Sequence, residues 1–162
     1  MWRRLRYVLL LVALCAIATC PAAKRSCTAK ARSAEADELL EYLAERVASH
    51  VATTGRVPAT PAAMAPQPGC CEQGGVCKPD GAIWAAQGWR ELGFSIDGEH
   101  RFSYEYVPDA SGLSATVRAV GDVECAETPT TVEVRLTVIG GKVSRVWSRK
   151  TATATPAPAT DE

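Results

Sequence analysis

Residues 31–51, ARSAEADELLEYLAERVASHV, decide how the rest of the chain is read. Ala36, Leu39, Leu40, Leu43, Val47 and Val51 fall mostly at steps of three and four, one apolar stripe of an α-helix. Glu35, Asp37, Glu38, Glu41, Glu45 and Arg46 take most of the remaining surface. Neither Gly nor Pro interrupts the run, and the strong helix formers Ala, Leu and Glu dominate it. Gly55 followed by Pro58 supplies the stop. A helix with one apolar face needs a surface to cover it.

That surface is expected downstream. From Arg101 the apolar period changes to two. Phe102, Tyr104 and Tyr106 alternate with polar residues, as do Leu113, Ala115, Val117 and Ala119, and then Val132, Val134, Leu136 and Val138. Gly140-Gly141 marks a hairpin turn into Val143–Ser148. Four successive strands with short turns predict an antiparallel meander whose apolar face receives the helix stripe, an α+β arrangement. Trp84 and Trp89 in AIWAAQGWRELG are read as core, with ligand stacking as the alternative.

Ahead of the helix the chain reads MWRRLR and then an apolar run from Tyr7 to Ala23. Arginines followed by such a run describe an export signal or signal anchor, with Tyr7, Leu11, Leu14 and Ile17 as the membrane segment. The run is about as long as the shortest bilayer spans, ~17 residues. Three fates stay open: a retained anchor, cleavage after Ala16-Ile17-Ala18, or lipidation at Cys20 behind an imperfect lipobox. All three carry the body out of the cytoplasm. If the segment stays, Pro21 would kink one long helix rather than end it.

The domain plan is therefore a signal anchor or signal peptide at 1–23, the amphipathic helix at 24–54, and a Pro/Cys-rich loop at 55–81. An antiparallel head at 82–149 and a low-complexity tail at 150–162 complete it. Within the loop, Pro58, Pro61, Pro66 and Pro68 predict an extended connector lying outside or over the fold.

Cys70, Cys71, Cys77 and Cys125 are disulfide candidates in an oxidising compartment. With Cys27 near the helix start, five cysteines follow the apolar run. Adjacent cysteines rarely bond each other, so Cys125 is paired with one of Cys70, Cys71 and Cys77, leaving an odd thiol unplaced. A zinc site is the alternative, but the spacing is not C-x₂-C twice and no histidine is near in sequence. Asp122 and Glu124 are too few oxygen ligands for a calcium loop, since Cys125 and Ala126 follow.

Taken in order, these elements resemble type IV pilins and pseudopilins of the delta-proteobacterial, myxobacterial kind. Pro21 stands where the pilin helix has its mid-helix proline. Ala34-Glu35-Ala36 is similar to a Ser-Glu-Ala of many pilins, and Thr54-Gly55-Arg56-Val57-Pro58 to the segment that closes that helix. Trp89, Leu92, Gly93, Phe94, Phe102, Ser103, Tyr104 and Tyr106 resemble a Trp-x-x-Leu-Gly-Phe…Tyr-Ser-Tyr stretch. Residues 119–124, AVGDVE, are similar to an Ala-x-Gly-Asp-x-Asp loop. The resemblance implies a long N-terminal hydrophobic and amphipathic helix packed on a four-stranded meander. Two departures stand out: no prepilin peptidase glycine site is present, and Arg3, Arg4 and Arg6 replace the acidic start. A pilin-derived protein that no longer enters the filament fits both.

Function follows from what the residues offer. The formal net charge is zero, which removes an overall basic field for nucleic acid. Only two histidines occur, His50 and His100, and no G-x-S-x-G, H-E-x-x-H or phosphate-cradling loop is found. The expectation is a non-enzymatic pilin-like envelope protein, without cofactor or metal, contacting other envelope or pilus-type proteins. It would be anchored in the inner membrane with its head in the periplasm, or exported. The alternative is an exported or lipid-anchored binding or structural domain stabilised by disulfides.

Overall fold

The computed structural model describes residues 34–152. A helix, α1, runs over residues 34–54. It ends where the N–H of Gly55 donates to the carbonyl of Val51 at 2.8 Å, with Gly55 at φ 73°, a left-handed conformation that glycine adopts freely. Strand β1 (Ala62–Ala65) follows, then a 3₁₀ turn at Cys70–Gln73 and two short helices, α2 (Gly81–Trp84) and α3 (Gln87–Leu92). Strands β2 (Ser103–Pro108), β3 (Ser114–Gly121), β4 (Thr130–Ile139) and β5 (Lys142–Thr151) complete the chain.

The sheet has five strands in sequence order, each antiparallel to the next. This corrects the expected four-stranded meander. The added strand lies in the proline-rich connector, where Ala62-Ala63-Met64-Ala65 forms a window free of proline between Pro61 and Pro66. Four residues with their N–H groups intact are enough to pair with β2, and an edge strand tolerates prolines at its ends. The connector is also not outside the fold, because Val57 and Ala62 are buried in the core. Val57 donates its N–H to the carbonyl of Gly112, and the Tyr106 hydroxyl donates to the carbonyl of Pro58 at 2.6 Å.

The long apolar N-terminal helix is likewise corrected. Among the described residues no helix is long and apolar enough to cross a membrane, and α1 carries acidic residues along its length. The expected membrane segment at Tyr7, Leu11, Leu14 and Ile17, and the lipidation candidate Cys20, lie outside the described residues.

The core forms where α1 lies on one face of the sheet. Ala36, Leu40, Leu43, Ala44, Val47 and Val51 are buried together with Tyr104 and Tyr106 of β2, Ala115, Val117 and Ala119 of β3, and Val132, Val134 and Leu136 of β4. Trp84, Trp89 and Phe94 close one end as edge-on and tilted pairs with ring centroids 5.3–5.4 Å apart, and Phe94 meets Tyr104 at 5.9 Å. Such contacts stabilise beyond the area they bury. The opposite face is wet, as a one-sided antiparallel sheet permits. There Arg118 bridges Glu105 (3.0 Å) and Glu133 (3.4 Å) across three strands.

β5 departs from simple alternation. Its register places Val143, Arg145, Trp147 and Arg149 opposite Val138, Leu136, Val134 and Val132, on the helix side. Both arginines meet acids of α1: Arg145 bonds Glu41 and Glu45, and Arg149 bonds Asp37. Asp37 to Glu45 spans about 12 Å of helix. Arg145 to Arg149 spans about 13 Å of strand. The pitches match, and the order of the pairs shows that α1 and β5 run antiparallel.

Candidate functional site

Two disulfides gather at one end of the sheet. Cys70 bonds Cys77, and Cys71 bonds Cys125. The 3₁₀ turn that starts at Cys70 points the adjacent cysteines in different directions, one to its own loop and one to the β3–β4 loop. The pairing of Cys125 with one of the three clustered cysteines is thus specified as Cys71. The two cysteines then left over among these four, Cys70 and Cys77, bond each other.

The β3–β4 loop is braced by Asp122. One of its carboxylate oxygens accepts the N–H of Glu124 at 3.1 Å and the other the N–H of Thr128 at 2.8 Å. The carboxylate weighed as a calcium ligand is therefore engaged in holding its own turn.

Beside the disulfides, Arg101 stands between two open hollows. One, of about 330 Å³, is lined by Met64, Cys70, Glu72, Ser103 and Asp122 among others; the second, of about 360 Å³, by Cys71, Gly75, Val76, Val123 and Cys125. Arg101 is partly exposed, and its guanidinium lies 3.9 Å from Glu35 of α1. The same Glu35 accepts the backbone N–H of Arg101 at 2.7 Å and is 3.5 Å from the Tyr104 hydroxyl. This end of the head presents the Arg101 guanidinium, two shallow recesses and two covalent braces.

The residue that sequence reasoning did not bring here is His100. It is 2% exposed, and its backbone exchanges two hydrogen bonds with Cys77, N–H to carbonyl in both directions at 2.8 and 3.1 Å. That isolated bridge sets the imidazole beside the Cys70–Cys77 sulfurs, with Trp84 at a ring separation of 6.0 Å. No local motif signals the pairing. His50, by contrast, lies on α1, where its carbonyl accepts from the hydroxyls of Thr53 and Thr54 at 2.9 Å.

Two tyrosines have strongly raised hydroxyl pKa values, and burial is the main cause in each. The charge of Glu35 adds to it at Tyr104, and that of Asp109 at Tyr106. Both rings are fully buried, so these shifts record core packing rather than chemistry offered to a substrate. Comparisons with protein-family models, with curated proteins and with solved structures return no match to this chain.

Proposed function

We propose that this chain is an exported cell-envelope protein whose helix-on-sheet head works through protein–protein contacts and not through catalysis. The observation that carries the reading is the pair of disulfides, since such bonds form and persist in oxidising compartments. The arginine-flanked apolar run at residues 7–23 supports export by an independent route. The recesses on either side of Arg101 are the surface offered to a partner, and their shallowness favours a protein over a small ligand.

A more specific reading places the head in a pilus or secretion-type assembly, or in a protein derived from one. It is supported by a helix laid along one face of an antiparallel sheet, with the apolar run preceding that helix in the chain.

Intact mass of the protein from the native host's membrane and soluble fractions tests the export reading, with thiols alkylated before and after reduction. The expected result is an envelope-associated chain in which Cys70, Cys71, Cys77 and Cys125 are alkylated only after reduction. A cytoplasmic chain with all four thiols free would sink it. Chemical cross-linking on intact cells separates the two readings, because an assembly subunit gives cross-links to pilus or secretion components and a solitary domain gives none.

A further inference from the structure

We propose that Cys70, Cys77 and His100 form, in the reduced chain, a three-coordinate site for a soft monovalent cation of the Cu(I) class. Oxidation of the two cysteines to their disulfide would abolish it. This goes beyond the envelope reading and stands on the cluster alone.

All three residues are at least nine-tenths buried, and their donor atoms lie within 4.8 Å of one another. The imidazole is set up as a ligand. Its Nδ1 is 3.2 Å from the carbonyl of Gly98, a contact that a protonated Nδ1 makes as donor. That tautomer leaves the lone pair on Nε2, which is buried and has no hydrogen-bond partner. A backbone carbonyl fixing one ring nitrogen while the other faces a metal is the usual support of a ligating histidine. Gln73 adds a second support, its side-chain amide 3.5 Å from the Cys77 sulfur, where a thiolate would accept it.

The donor set selects the cation. Two thiolates and an imidazole are soft ligands, which favour Cu(I) or zinc over calcium or magnesium. Zinc on two cysteines and a histidine takes a water as its fourth ligand, and the burial of all three residues disfavours that water, whereas Cu(I) is satisfied by three donors. Bonds of about 2.0–2.3 Å set donor separations of roughly 3.5–4 Å in a trigonal site. The cysteine Cα atoms are 4.8 Å apart, so the freed thiolates can turn towards the ring without displacing the loop.

The chemistry balances. A dithiol reductant transfers two electrons and two protons to the Cys70–Cys77 bond and becomes a disulfide itself. Cu(I) then binds both sulfurs as the two thiol protons leave to solvent, and the metal does not change its oxidation state. The burial that would hinder entry in the oxidised protein is absent while the chain is still folding, so metal and disulfide compete for the same sulfurs at that stage.

The test is refolding of the full chain without oxygen, with a phosphine reductant, in the presence of Cu(I) buffered by a chromogenic chelator. X-ray absorption at the copper edge then reads the ligands. The expected result is a Cu(I) ion with two sulfurs and one nitrogen, retained in Cys71→Ser/Cys125→Ser and in His50→Gln. Affinity should fall at least tenfold in His100→Gln and in Cys77→Ser. A sulfur-only shell in the wild-type chain overturns the proposal, and so does undiminished affinity in a folded His100→Gln. If circular dichroism shows that His100→Gln does not fold, the wild-type and His50→Gln spectra decide alone: nitrogen present in both supports the site, and nitrogen absent from either rejects it.

Discussion

Glu35, near the start of α1, accepts the backbone N–H of Arg101 through a carboxylate oxygen at 2.7 Å, joining two points 66 residues apart in the chain. The bond fixes the start of the helix against the entry to β2 and so sets the height at which α1 sits on the sheet. Replacement by alanine strands a part-buried N–H and removes the partner of the Arg101 guanidinium. A loss of about 1–3 kcal/mol is expected, whereas Glu35→Gln keeps an acceptor and loses less. Urea unfolding of the two variants makes the comparison; equal losses would show that charge, not the acceptor, is what matters.

The two disulfides should differ in worth. Cys71–Cys125 closes a separation of 54 residues and Cys70–Cys77 one of 7. Chain entropy alone assigns about 4 kcal/mol to the first and about 2.5 kcal/mol to the second. Thermal unfolding of Cys71→Ala/Cys125→Ala should therefore show the larger drop in Tm. A larger drop for Cys70→Ala/Cys77→Ala would mean that packing of those two buried side chains outweighs loop closure.

Gly88 in α3 should not accept alanine. A methyl there would stand 2.2 Å from the carbonyl oxygen of Pro61 and 2.8 Å from the Ala62 Cα, both backbone atoms. Alanine in a helix normally gains about 1 kcal/mol over glycine. Overpacking costs typically 1–3 kcal/mol, and a 2.2 Å approach belongs at the upper end. Net destabilisation is expected, with the amides of β1 losing hydrogen-exchange protection first because α3 must lift off that strand.

Asp109 organises the β2–β3 turn. Its carboxylate accepts the hydroxyls of Ser111 (2.7 Å) and Ser114 (2.6 Å), and these bonds lower its pKa from the ordinary 3.8 to about 2. A depressed carboxyl pKa stabilises the fold fully above the ordinary value, and the contribution disappears as pH falls through about 2. Carboxyl NMR titration should find this low value and find it returning towards 3.8 in Ser111→Ala/Ser114→Ala. An unshifted titration in the parent chain would remove Asp109 from the account.

Tyr106 works at the other end of the pH scale. Burial raises its hydroxyl above the ordinary 10.0, so the protonated form is favoured in the fold. Its stabilisation is complete below about pH 10 and declines as the pH rises further. Tyr106→Phe leaves the Pro58 carbonyl without its donor at a cost of about 1–3 kcal/mol. The same variant should show a shallower alkaline loss of stability in denaturant titrations between pH 9 and about pH 11, where tyrosine titrates in the unfolded chain.

What could be read directly from the residues was whatever is repeated locally. The α1 stripe at Ala36, Leu40, Leu43, Val47 and Val51 is buried as its spacing requires, with Leu39 partly buried. Tyr104, Tyr106, Ala115, Val117, Ala119, Val132, Val134 and Leu136 are buried too, whereas Val138 is only partly buried and Leu113, just ahead of β3, is 47% exposed. β1 escaped because Ala62-Ala63-Met64-Ala65 is apolar throughout, leaving no period to detect, and because flanking prolines read as extended connector. β5 misleads for a different reason. Its helix-side positions hold Arg145 and Arg149, which face acids of α1 rather than the apolar core, while Val146 points outward and is 63% exposed. At the candidate site the cysteines were evident by count. The approach of His100 to Cys77, and of Glu35 to Arg101, depends on long-range packing for which the chain has no local code.

The ion pairs between α1 and β5 have a mechanical meaning. Because the first helix and last strand run antiparallel, residue 34 and residue 152 leave the head at the same end, near the Asp37–Arg149 pair. Tension applied between those two points loads the contacts in series, the Glu35–Arg101 bond and the Asp37–Arg149 pair first and Arg145 with Glu41 and Glu45 next, so the helix peels from the sheet like a zip. Tension applied at residue 34 and borne by the far end of the sheet would instead shear the whole apolar stripe at once. The head is built to yield readily to one direction of pull and to resist the other.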